Sequence, residues 1–145
     1  MIKKLDLIFE SVTECKEKGY SCKMSKNNVI KIYKPDAGIK KKELEDKLFT
    51  KYPPKLCDCV TLYNSDRIAL IEIKCGKVTQ SILKDVIEKL NNTFEILRDQ
   101  KVAVTKCILL YKKFEDNQMK KLLASKRIYD QPLLAKKYEN KAIDI

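Results

Sequence analysis

The sequence predicts a single α/β domain, a central mixed β-sheet flanked by helices, and three observations carry that prediction. Residues 68–75, Ile-Ala-Leu-Ile-Glu-Ile-Lys-Cys, are apolar at five of their first six positions. A strand that is apolar on both faces is buried on both faces. Next, Leu83, Val86, Ile87, Leu90, Phe94 and Leu97 recur at the i, i+3, i+4, i+7 spacing of an amphipathic helix over about 79–99. A second apolar run, 102–111, follows that helix. A helix between two such strands is a crossover, so 68–74 and 104–111 are expected to be parallel neighbours with a right-handed connection.

Taken in order, residues 2–18 place Ile2, Leu5, Phe9, Val12 and Cys15 on one helical stripe, with Gly19 as the stop. Glu10 and Glu14 lie one turn apart beside it. Residues 20–24 and 29–34 form a hairpin around Asn27-Asn28, and Pro35 ends it. Asp36 or Gly38 opens a short helix to about Tyr52, with Leu44, Leu48 and Phe49 as its apolar side. Lys40, Lys41 and Lys42 give this helix a basic edge.

Residues 56–63 pair with 68–75 across the turn residues Asn64-Ser65-Asp66. With that three-residue loop Tyr63 faces Arg67, and Asp58 faces Glu72 with β-carbons about 5 Å apart. The period of two puts Lys74 on the same face; a slip of one residue would move Asp58 to the other. Thr79 caps the long helix. Residues 115–127 form a lysine-rich helix with Met119, Leu122 and Leu123 inward. Pro132 breaks the tail 129–145, and residues 142–145 are an edge strand or a dimer contact. The order is α-β-β-α-β-β-α-β-α, without repeats.

The 145 residues are 44% hydrophobic and 35% charged, with three glycines and four prolines, a globular balance for one domain. No run approaches the roughly 18 apolar residues of a membrane span. The start, Met-Ile-Lys-Lys-Leu-Asp, is not a signal peptide, so the expected location is intracellular, in the cytoplasm. Thirty-one basic residues against twenty acidic ones give +11. That excess points to a polyanionic partner, with a surface made for solubility as the plainer account. All but Arg67, Arg98 and Arg127 are lysines, which suit phosphate contact more than base reading. In an intracellular chain most of the six cysteines are expected to be buried small hydrophobes. Cys57 and Cys59 are expected to share the face opposite Asp58. Zinc is disfavoured, with no histidine and no Cys-x-x-Cys.

Two acidic side chains so close repel unless a divalent cation bridges them. Asp58 followed by Glu72-Ile73-Lys74, on a hairpin of a mixed α/β chain, resembles the PD-(D/E)xK nuclease superfamily. The likeness spans roughly residues 1–112 and rests on three side chains. The family's proline before the aspartate is replaced by Cys57, with Pro53 and Pro54 just upstream. The resemblance implies a restriction-endonuclease-like fold over 1–145, with a core of 1–112 and a C-terminal helix and tail of 113–145. It implies a Mg²⁺- or Mn²⁺-dependent endonuclease acting on DNA. Asp58 and Glu72 would hold the metal, joined by Glu10 or Glu14 of the first helix, and Lys74 would position the water. Gln80 and Lys77 would act on water or substrate at the head of the long helix; the basic edge of Lys40, Lys41 and Lys42 faces a phosphate backbone or serves surface solubility. A looser resemblance to archaeal Holliday-junction resolvases, without their glycine-rich N-terminal stretch, leaves a homodimer open. The alternative is a non-catalytic nucleic-acid-binding protein on the same fold; a plain interaction protein is the third reading.

Overall fold

A computed structural model describes residues 1–16, 28–35 and 55–138. The short helix and its Lys40, Lys41 and Lys42, the strand 20–24 and the tail 142–145 lie outside the described residues. So does any contact through which residues 142–145 would build a dimer.

The long helix is α2 (Gln80–Asp99), opened by Thr79, whose hydroxyl accepts the Ile82 N–H. No glycine is available to close it, and Lys101 takes the left-handed conformation instead, at φ 58°. The Lys101 N–H bonds the Arg98 carbonyl and the Val102 N–H bonds that of Leu97, a Schellman closure. Its inner face buries Leu83, Val86, Leu90, Phe94, Ile96 and Leu97. Truncating one of these leucines to alanine costs about 2–5 kcal/mol.

The described strands form one seven-stranded mixed sheet. They are β1 (Ser11–Val12), β2 (Val29–Tyr33), β3 (Cys59–Tyr63), β4 (Arg67–Val78), β5 (Lys106–Phe114), β6 (Arg127–Ile128) and β7 (Gln131–Lys137). Their order is β1-β2-β3-β4-β5-β7-β6. β1 to β4 are antiparallel neighbours, whereas β4, β5 and β7 run parallel. The expected parallel pair is therefore present, and the β3–β4 turn holds its register, with Tyr63 opposite Arg67 and Cys59 opposite Ile71. Asn64 and Ser65 take positive φ there, 47° and 70°. The remaining helices among the described residues are α1 (Ile2–Ile8) and α3 (Asn117–Ala124), the latter capped by Asp116 on the Met119 N–H.

Alternation along β4 separates two cores. Ile68 and Leu70 join Leu62, Leu109 and the inner face of α2; Ile71 and Ile73 join Cys59, Ile108 and Leu110. No helix among the described residues is long and apolar enough to cross a membrane.

Three expectations are corrected. The N-terminal helix stops at Ile8, because Phe9 turns extended (φ −125°, ψ 155°) and Ser11-Val12 pair with Ile32 and Tyr33. The β-forming run from Phe9 to Thr13 gains more as an edge of the sheet than as further helix. Cys15, expected as a helical core residue, is disulfide-bonded to Cys59. Pro132 does not break the tail. Pairing of β7 with β5 begins at Leu133, so the proline's missing N–H is not needed in that ladder.

Candidate functional site

Pairing of β3 with β4 ends at Cys59–Ile71. A buried backbone donor beyond that point still needs an acceptor. The Ile73 N–H finds one in Asp58, donating to Oδ2 at 2.7 Å. That bond pins the Asp58 carboxylate against β4 beside Glu72. Asp58 lies in a bend just before β3, so strand alternation does not reach back to Cys57. Cys57 accordingly packs in the α2-side core and Cys59 in the other, against the expectation that they share a face.

Glu72 is 0% exposed, and neither of its carboxylate oxygens has a hydrogen-bond partner among the described residues. The cation against it comes from the helix: Lys89 Nζ lies 3.4 Å from Glu72 Oε2. The same ammonium is 3.4 Å from Asp85 Oδ2, one turn back on α2. Asp85 in turn reaches Lys55 Nζ at 3.2 Å.

Burial, and then Asp58 beside it, push Glu72 up to about 10, against the pull of Lys89 and Lys74. Burial works to lower Lys89, but Glu72, Asp85 and Asp58 carry it above the ordinary lysine value. Burial works to raise Asp85, but Lys55 and Lys89 hold it below its usual range. The balance at Glu72 is thus short of positive charge. A carboxylate in that position keeps a proton until a stronger cation displaces it.

The donor chemistry suits a hard divalent ion. A carboxylate on β4 and one in the bend before β3 offer oxygen only, and Mg²⁺ commonly takes one or two carboxylates with waters and phosphate oxygens completing its shell. Burial pushes the Cys57 thiol well above its usual value, so it stays a thiol rather than a metal-binding thiolate. Among the described residues no third histidine, cysteine, aspartate or glutamate joins the pair.

The other expected site residues are placed as follows. Lys74 is half-buried on β4 opposite Tyr111, and its charge acts on Glu72. Glu10 is exposed before β1, where its carbonyl accepts the Lys34 N–H, and it is not gathered with Asp58 and Glu72. Gln80 is exposed at the head of α2 and lines a cavity of about 690 Å³ with Lys84, Ile87, Leu122 and Lys126. That flank of α2 is not the one carrying Asp85 and Lys89. Lys77 is exposed near the end of β4, directly opposite exposed Lys113 of β5. Beside them, Lys112 is exposed, and Lys137 of β7 is exposed opposite Tyr111. The acidic residues Glu115 and Asp116 come directly after the end of β5.

Sequence reasoning missed Lys89 and Asp85, though a signal was present. On α2 the line Ile82–Val86–Lys89–Thr93 is otherwise inward-facing, with Val86 and Thr93 fully buried. A lysine on a buried line asks for a carboxylate opposite it. In comparisons with known proteins, the chain matches no family model, no curated protein and no solved structure.

Proposed function

We propose that the chain is a metal-dependent nuclease cutting DNA phosphodiester bonds at the Asp58–Glu72 pair, with Mg²⁺ or Mn²⁺ as its cofactor. The observation that carries this reading is Glu72, a buried carboxylate with two orphaned oxygens facing a second carboxylate. A purely structural core has little use for that arrangement, because a buried carboxyl whose oxygens lack hydrogen-bond partners costs about 1–3 kcal/mol, and ionising it beside Asp58 costs more.

Asp58 and Glu72 would hold the cation, which when bound supplies Lewis acidity to the phosphate and acidity to a coordinated water. The Ile73 N–H fixes the Asp58 carboxylate in place. Lys74, on the Glu72 face but less buried, donates to the attacking water and orients it. The row Lys77, Lys112, Lys113 and Lys137 lies at the carboxyl ends of three parallel strands, the end where ligands commonly meet open α/β sheets. Lys77 and Lys113 oppose one another about 4.8 Å apart across the ladder, an unfavourable pairing that a phosphate backbone would relieve.

The test is nicking of supercoiled DNA with Mg²⁺ or Mn²⁺ against EDTA. Asp58→Asn and Glu72→Gln are expected to lower the rate about a hundredfold or more. Lys74→Ala is expected to lose a similar factor while metal binding persists. Absence of any metal-dependent cleavage by the wild-type chain overturns the reading.

A second reading is favoured by the Lys89–Glu72 contact, which supplies the carboxylate with a cation of its own. On that reading the chain binds nucleic acid without cutting it. DNA binding then survives EDTA and Glu72→Gln alike.

A further inference from the structure

We propose that Lys89 is the resident counter-ion of the Asp58–Glu72 pair, and that it yields the position to an entering divalent cation by moving onto Asp85. This rests on the metal-site reading above and adds a gate to it. Three observations carry it.

Lys89 Nζ stands equally far, 3.4 Å, from Glu72 Oε2 and Asp85 Oδ2. Its approach to Glu72 carries no hydrogen bond, since neither oxygen of Glu72 has a hydrogen-bond partner among the described residues. A long, flexible ammonium held without a directed bond can leave one carboxylate while keeping the other.

Exposure runs in the direction that exchange requires. The Glu72 side chain is 0% exposed, that of Lys89 22% and that of Asp85 31%. The ammonium therefore withdraws outward along its own helix towards better solvation. Lys55, 3.2 Å from Asp85 and 3.7 Å from Glu88, keeps the outer carboxylates in place.

Two cations cannot share Glu72 at this distance without strong mutual repulsion. The metal and Lys89 are thus alternatives, and the affinity for metal is set partly by how firmly Lys89 is held. Its place on the helix, rather than on the strand with Lys74, separates it from the water-positioning role.

Calorimetric titration of Mn²⁺ and Mg²⁺ into the full chain tests this, with thermal unfolding in EDTA alongside. Lys89→Met removes the competing charge and is expected to tighten metal binding on the order of tenfold or more. Asp85→Asn removes the landing carboxylate and is expected to weaken it several-fold. Glu88→Gln makes the same charge change one turn away without touching Lys89, and its smaller effect measures the general field. A folded Lys89→Met that binds metal no better than wild type overturns the gate while leaving the metal site standing. If Lys89→Met does not fold, Asp85→Asn decides: an effect no larger than that of Glu88→Gln overturns the proposal. If neither wild type nor the variants bind either metal, the metal-site reading falls and takes the gate with it.

Discussion

Glu72 decides most of what the site can do, and its protonation is measurable. Its carboxyl titrates at about 10 in the fold, raised by burial and by Asp58 from an ordinary value of 4.5. Between those values the folded chain keeps a proton that the unfolded chain releases. Stability of the metal-free protein is therefore greatest at the acid end of that window and falls as pH rises, by up to about 1.4 kcal/mol per pH unit. Glu72→Gln keeps the shape without the proton, so its unfolding free energy is expected to be flatter with pH and higher near neutrality. Denaturant unfolding in EDTA from pH 5 to 9 checks both points. A Glu72→Gln variant destabilised by about 3–5 kcal/mol would instead mark a structural ion pair with Lys89. At this scale Glu72 and Lys74 were legible as neighbours on one face of β4, because the strand period of two sets the face. Asp58, by contrast, lies in a bend before the β3–β4 ladder and reaches β4 through the Ile73 N–H. Lys89 was not legible, because nothing local fixes how a crossover helix rotates above its strand.

At the scale of elements, the same division recurs. α2 was readable almost to the residue, since it carries a long, consistent hydrophobic pattern and a side-chain cap, whereas β4, expected over 68–75, continues through Gly76 and Lys77 to Val78. The segment after Ile8 was misread because Phe9, Val12 and Cys15 fit a helical stripe and an edge strand equally well. Only the partner at Ile32 and Tyr33 settles the matter. The Cys15–Cys59 bond follows from that pairing, which brings the segment after β1 to the start of β3. Six cysteines by themselves allow many pairings. The bond ties Cys59, next to Asp58, to a segment 44 residues away. Chain entropy alone sets its contribution at about 4 kcal/mol. Cys15→Ser is therefore expected to lower the unfolding free energy by up to that amount under oxidising conditions. The variant should match the wild type when both are reduced. Equal stability in both conditions would show that the bond does not form.

For the whole molecule the net charge of +11 is a fact of composition, but its distribution is not. The fold brings Lys77, Lys112, Lys113 and Lys137 to one end of the parallel strands, from three stretches of sequence that no spacing connects. Lys74 and Glu72 lie on β4 three and five residues before Lys77. If duplex phosphates bind there, log affinity falls linearly with log salt, by about 0.9 for each phosphate neutralised. Replacing both Lys77 and Lys113 by glutamine is expected to reduce that slope by about 1.8. Removing the repulsion between them leaves stability unchanged or slightly higher, so weaker binding is not a folding defect. As a control, Lys3→Gln and Lys4→Gln on α1 lower the net charge equally and are expected to leave the slope unchanged. Fluorescence anisotropy across a salt series reads both pairs. A slope that drops equally for the two pairs would assign the charge to general solubility rather than to this surface.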